Sequence, residues 1–237
     1  MEQDFGIFYK IIRSLLRLIT PQFTIKDQRS AEEQAETAIV YVSHHQNLFG
    51  PISVLVWYPT FLRTWIYSVF LEFDRCYDEY VDFTLTERLG WSQGLAKVVA
   101  WPLAMFAVTL TKSARGIPVY RKSRDVMQTM KKSVEALENN QSILLLPNVD
   151  YADDSPEVKE IYEGFLYIEK YYYQKTGKHV QFVPMYSDKK AKEIRIGTPI
   201  QFTGEGLFKD KRKQIAKQIQ EELNYLSNNL EKLSPSA

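Results

Sequence analysis

The sequence predicts an α/β fold in a single domain, a sandwich with a mostly parallel sheet flanked by helices and an N-terminal amphipathic helix. Short apolar runs at 38–43, 143–146 and 180–184 read as strands, the first as a buried parallel-type strand. Segments with apolar residues at helical spacing alternate with these runs, as they do around a parallel sheet. The chain has 237 residues and 45% hydrophobic content, enough for one large core, and no Pro/Gly/Ser-rich linker divides it.

Residues 4–19 place Phe5, Phe8, Tyr9, Ile12, Leu15, Leu16 and Ile19 on one helical face, with Lys10, Arg13 and Arg17 opposite. Ile7, Ile11 and Leu18 widen the apolar side beyond a core stripe. This pattern suits a helix lying on anionic lipid with its cations towards the headgroups, or a helix packed on the domain. Pro21 ends it, which divides the chain into an interfacial helix at 1–22 and a domain at 23–237. The strand at 38–43 is followed from Pro51 by an apolar helix through Ile52, Leu55 and Val56. The run at 98–110 is too short to cross a bilayer and contains Pro102, so it is expected to be a buried or interfacial helix. A strand at 117–120 comes next. A helix follows with Val126, Met130, Val134 and Leu137 at helical spacing, then the strand at 143–146. Ser155 and Pro156 have the chemistry of a helix start, with Gly177 as its stop. Strands at 180–184 and 194–196 and a helix marked by Ile215, Ile219, Leu223, Leu226 and Leu230 close the chain.

Composition excludes several functions. Thirty basic residues against 29 acidic ones leave no global field for nucleic acid. A lone cysteine, Cys76, rules out an internal disulfide framework and any cysteine-rich zinc site, and neither a metal nor a resident cofactor is expected. The acidic start Met1-Glu2-Gln3-Asp4 lacks the positive region of a secretory signal, so a cytoplasmic location is expected. Aromatic residues make up 14% of the chain, which suits either contact with lipid headgroups or an aromatic-rich core.

The strand at 38–43 runs into Ser43-His44-His45-Gln46-Asn47-Leu48-Phe49-Gly50-Pro51, a turn that presents imidazole at the edge of a sheet. With three later segments it resembles the glycerolipid (lysophosphatidic acid) acyltransferase family. His45 falls on the histidine of that family's His-and-Asp block, His44 on its asparagine and Gly50 on its aspartate. Gly116-Ile117-Pro118-Val119-Tyr120-Arg121 is similar to its glycine-to-arginine block. Leu144-Leu145-Leu146-Pro147-Asn148-Val149-Asp150 stands where a Phe-Pro-Glu-Gly block belongs, and Val183-Pro184-Met185 where a final proline block does. The order and spacing of these blocks cover about four fifths of the chain.

The resemblance implies transfer of an acyl group from acyl-CoA or an acyl carrier protein to a lysophospholipid or glycerolipid hydroxyl, at the cytoplasmic face of a membrane. His45 would be the general base and Arg121 a bidentate clamp for a phosphate, with Arg115, Gly116 and Asn148 at the substrate. Gly50 cannot orient an imidazole, so Asp150 is the candidate replacement carboxylate; the other reading of Asp150 is a solvated acidic turn. His44 is either the working base itself or a hydrogen-bonding support. Two alternatives stay open: an inactive lipid-binding relative of the same fold, and a serine hydrolase using Ser92, within Gly90-Trp91-Ser92-Gln93-Gly94, together with Asp150 and His179.

Overall fold

The computed structural model of the chain describes residues 4–35, 38–120, 125–150, 153–203 and 207–228. Its strands are β1 (Thr24–Asp27), β2 (Ile39–Ser43), β3 (Leu62–Tyr67), β4 (Ile117–Val119), β5 (Ser142–Leu145), β6 (Gln181–Asp188) and β7 (Glu193–Ile196). They form one sheet in the order β1-β7-β6-β2-β5-β3-β4. The run from β6 to β4 is parallel throughout; β7 pairs antiparallel with β6 and parallel with β1. The expected mostly parallel α/β sheet is therefore present.

Strand β2 is central and buried on both faces, which is why its sequence is continuously apolar rather than alternating. Val40 and Val42 join Ile143, Leu145 and Phe182 under α6 (Val126–Glu138), α7 (Tyr167–Thr176) and α8 (Phe208–Asn228). Ile39 and Tyr41 join Leu144, Val183 and Met185 on the opposite face, where Val54 of α3 (Phe49–Trp57) packs. In α8, Ile215, Ile219, Leu223 and Leu226 are buried, the stripe that the spacing predicts. Gly177 closes α7 at φ 70°, a left-handed position that glycine fills without a Cβ clash.

Between β3 and β4 the chain makes a helical excursion: α4 (Phe73–Asp78), a π-helix (Glu79–Arg88) and α5 (Gln93–Ser113). Ala96, Ala100, Ala104 and Val108 form the buried stripe of α5, their small size allowing close approach of α4 and the π-helix. The opposite side exposes Leu95, Val98, Trp101, Met105 and Phe106. Contrary to the expectation of a short, proline-interrupted run, Pro102 lies inside a continuous 21-residue helix, long and apolar enough by length and composition to cross a bilayer.

Three further expectations are corrected. The segment carrying Val81, Phe83 and Leu85, whose alternation in the sequence reads as the strand that a nucleophile elbow at Ser92 requires, is instead the π-helix, with Val81 and Leu85 turned inward onto Ala96 and Ala100. Ser155 does not begin a helix. Instead, residues 155–162 run as a strap whose Val158 and Ile161 are buried, with backbone groups satisfied by Asn224 and Gln220 of α8, and the helical chain begins only at Glu163. The long-range apolar contacts outweigh the local capping signal there.

The third correction concerns α1 (Ile7–Ile19). Arg13 and Arg17 are tied to the end of α3: both guanidinium groups donate to the Val56 carbonyl, at 2.9 and 2.8 Å, and Arg13 also to that of Tyr58. The last carbonyls of α3 are orphaned acceptors at the negative end of its dipole, and cations satisfy them. Tyr9 adds a bond to the Leu55 carbonyl at 2.9 Å. The outward face of α1 is instead apolar, with Ile7 and Leu18 about 80% exposed (79% and 82%) beside Ile11, Leu15 and Ile19. Phe8 meets Phe106 edge to face, so the bare faces of α1 and α5 belong to adjoining helices.

Candidate active site

In open α/β sheets ligands bind beyond the carboxyl ends of the strands. Here β2 delivers His44 and His45 to that rim, and β5, its immediate neighbour, delivers Asn148. The Asn148 side chain joins the two loops. Its Oδ1 accepts from the His45 backbone N–H at 2.8 Å, and its Nδ2 lies 2.8 Å from His44 Nδ1. Because Oδ1 is occupied by an N–H donor, the amide must present its NH2 to His44 Nδ1, which is then an acceptor. His44 Nε2 consequently carries the proton and donates to the Ser155 carbonyl at 2.9 Å.

Both His44 nitrogens are thus taken up by hydrogen bonds within the protein, its ring is buried, and it lies parallel to Tyr186. His45 is different. Its ring is half-buried at the mouth of the turn, with Nδ1 shut off from solvent.

The turn after His45 is held by its own strained backbone. Gln46 and Asn47 both adopt positive φ, 44° and 57°. Gln46 is buried and donates to the Ser187 carbonyl at 3.0 Å, and the Asn47 N–H donates to the Asp153 carbonyl at 3.1 Å. Gly50 completes the turn. A Cβ on it would stand 2.0 Å from the His44 carbonyl oxygen and 2.8 Å from that of His45. Glycine is therefore required by close backbone approach, and this turn has no room for an aspartate at that position.

The strap at 155–162, with Asp153 just before it, walls the site. The Ser155 carbonyl accepts a hydrogen bond from His44 Nε2–H, Tyr186 donates to the Pro156 carbonyl at 3.0 Å, and Asn148 bridges to Ile161. The Asp153 carboxylate accepts from Lys159, at 2.7 Å, and from the Ser155 N–H, at 2.9 Å; these bonds, Lys159 foremost, hold its pKa well below the usual carboxylate range. Burial pushes the Tyr186 phenol up to about 12.

Asp150 is exposed, two residues beyond Asn148. Arg121 lies outside the described residues. Gly116 and Arg115 precede β4, at the amino end of the parallel strands and so at the opposite end from the histidine turn, and β4 itself is separated from β2 by β5 and β3, a lateral distance of roughly 14 Å at ordinary strand spacing. Gly116 packs against Ile66, and Arg115 donates to the Asp4 carbonyl at 2.7 Å. They do not join the histidine turn.

The hydrolase constellation is not assembled. Ser92 precedes α5 after a π-helix, where a nucleophile elbow needs a strand. His179 stands before β6, at the opposite end of the strands from Asp150, with Nδ1 2.6 Å from buried Glu169. Among the described residues, no group of three histidine, cysteine or acidic side chains could hold a metal ion.

Sequence reasoning missed Asn148 as a strut, Gln46 as an anchor and the strap as a wall. The left-handed Gln46-Asn47 pair and the buried Gln46 leave no apolar periodicity to detect.

No protein-family model matches the chain, and no curated protein sequence matches it. Its architecture does have a counterpart among solved structures. The crystal structure of the 1-acyl-sn-glycerophosphate (LPA) acyltransferase, PlsC, from Thermotoga maritima aligns with a TM-score of 0.50 at 14% identity, covering 94% of this chain and 78% of that one. Almost the whole of this chain therefore shares the fold of that acyltransferase.

Proposed function

We propose that this protein is a peripheral membrane acyltransferase that moves an acyl group from a thioester to the hydroxyl of a lysophospholipid or related glycerolipid, with His45 as general base. The observation that carries the reading is the placement of His45: at the carboxyl end of the central strand, on a turn bolted to β5 through Asn148, in a fold shared with a lysophosphatidic acid acyltransferase. With Nδ1 shut off from solvent, Nε2 is the nitrogen placed to act. The acceptor oxygen attacks the thioester carbonyl and loses its proton to His45. The carbon–sulfur bond then breaks, and the imidazolium returns the proton to the departing thiolate. Asp150 is the proposed orienting carboxylate and Arg121 the proposed phosphate clamp.

The bare apolar faces of α1 and α5 support docking on the cytoplasmic face of a membrane, where such an acceptor resides. Purified protein given acyl-CoA or acyl carrier protein with lysophospholipid vesicles should form diacyl product, and His45→Ala should lower the rate by roughly 10²–10⁴-fold. Equal rates for wild type and variant would overturn the assignment. Gly50 favours one second reading, a lipid-binding protein without turnover, since the turn excludes the carboxylate that orients a catalytic histidine. Vesicle binding with no product from either donor would support it.

A further inference from the structure

The turn that joins β6 to β7 holds Lys189, Lys190 and Lys192, all exposed and, among the described residues, in no ion pair. The acids on either side are spent on buried Arg195, whose guanidinium lies 3.0 Å from both Asp188 and Glu193. Asp188 also accepts from the Lys190 and Ala191 backbone N–H groups, at 2.8 and 2.9 Å, which fixes the turn. Three lysine charges therefore stand at the carboxyl end of β6 with their nearest acids already neutralised. The histidine turn is their neighbour. Strand β6 pairs directly with β2, and the Ser187 carbonyl accepts from Gln46, the residue after His45, at 3.0 Å.

The two faces of the sheet decide what these lysines meet. Lys189 Nζ stands 5.8 Å from the centroid of the Phe49 ring, at the start of α3, and Leu48 and Ile52 beside that ring are exposed. The other end of α3 carries α1 with its isoleucine–leucine side bare. Lysine turn, α3 and α1 thus belong to one layer on one face of the sheet. The exposed acids Asp154, Glu157 and Glu160 belong to the strap segment, whose Val158 and Ile161 pack with α8 into the core of the opposite face. An apolar surface edged by unpaired cations is matched by the headgroup region of an anionic bilayer. An acidic soluble protein would satisfy the lysines and leave the apolar side chains in water.

We propose that the β6–β7 turn is an anionic-lipid contact that seats the mouth of the histidine turn at headgroup level, so that the protein selects bilayers containing acidic phospholipid. The inference rests on the membrane-docking reading of α1 and α5, and adds which lipids are selected and which face of the sheet meets them. Cosedimentation of the full chain with phosphatidylcholine vesicles, with and without phosphatidylglycerol, needs no turnover. The wild type should bind the vesicles containing phosphatidylglycerol more tightly and lose that preference in high salt. Lys189→Gln, Lys190→Gln and Lys192→Gln together should weaken this binding by roughly fivefold per lysine, on the order of a hundredfold in all, with binding to phosphatidylcholine alone unchanged. Melting should stay as in the wild type, because these side chains are already in water. Glutamine at Lys209, Lys213 and Lys217, three exposed lysines of α8 on the opposite face, should leave both vesicle affinities as they are. Equal losses in the two triple variants would make the effect one of net charge and overturn the proposal. Equal binding of the wild type to both vesicles would overturn it while the docking reading stands. Lysine-dependent capture of acyl carrier protein, with vesicle binding unaffected, would overturn it by making the turn a protein contact. Failure to bind any vesicle would overturn both readings, whereas lysine-dependent vesicle binding without acylated product would uphold the lipid contact and remove the acyl transfer.

Discussion

At the scale of single residues, Asn148 carries more of the site than its position in a loop suggests. It meets a backbone donor on one side and an imidazole acceptor on the other, which a glutamate at the same place could not do, having no N–H to give. Asn148→Asp keeps the acceptor and turns a second acceptor onto His44 Nδ1, whereas Asn148→Ala removes both bonds. Either variant should lose about 1–3 kcal/mol in urea unfolding. If His45 is the base, both should also lower kcat more than they raise KM, because the acting side chain remains while its turn loosens. Gly50 gives the opposite kind of prediction. Placing an aspartate there by Gly50→Asp, as in the family that the sequence resembles, should fail to raise activity and should cost stability, since even the first carbon of the new side chain strikes the His44 carbonyl. A Gly50→Asp protein with wild-type melting and higher turnover would contradict this packing. The resemblance places its histidine block at this turn in the sequence. Whether glycine there marked a lost group or a required one depended on a carbonyl brought round by the positive φ angles of Gln46 and Asn47.

At the scale of elements, α1 shows how a helix can be amphipathic in the direction opposite to the one its composition suggests. Arg13 and Arg17 reach the orphaned carbonyls at the end of α3, so the charged side is the docked side and the isoleucine–leucine side is bare. The two faces should separate experimentally. Ile7, Ile11 and Leu18 changed together to Ser should abolish cosedimentation with anionic vesicles while leaving melting unchanged, because these side chains are already in water. Arg13 changed with Arg17 to Ala should lower stability by about 1–3 kcal/mol, measured by urea unfolding, by leaving the Val56 and Tyr58 carbonyls without their charged partners. The apolar spacing of 4–19 predicted the helix; which side would be covered depended on where α3 happened to end. The same limit explains the π-helix and the strap. Val81, Phe83 and Leu85 alternate like a strand and Ser155-Pro156 reads like a cap, but partners distant in sequence, α5 and α8, set both conformations.

At the scale of the whole molecule, buried phenols tie the fold to pH. Tyr9 under α1 and Tyr186 beside His44 are both pushed up to about 12 by burial, from an ordinary value of 10.0. A phenol with a folded pKa above its unfolded one holds its proton more tightly in the native state. Its contribution is therefore complete below about pH 10 and is lost as pH rises towards 12. Unfolding free energy should stay level on approach to pH 10 and then fall, with phenolate absorbance from these residues appearing only as the protein unfolds. A stability maximum above pH 10 would contradict this. The sequence by itself determined the fold class, because apolar runs and helical periodicity are local consequences of which faces must be buried. It also determined the histidine turn, because a strand that stops at polar residues has to present them at a sheet edge. Only the tertiary structure decided that both His44 nitrogens are engaged within the fold, that Gly50 is required, and that Arg115 lies away from the histidine turn. Each of those depends on a distance between atoms that are far apart along the chain, set by strand order and by which carbonyl or amide each loop brings within bonding range.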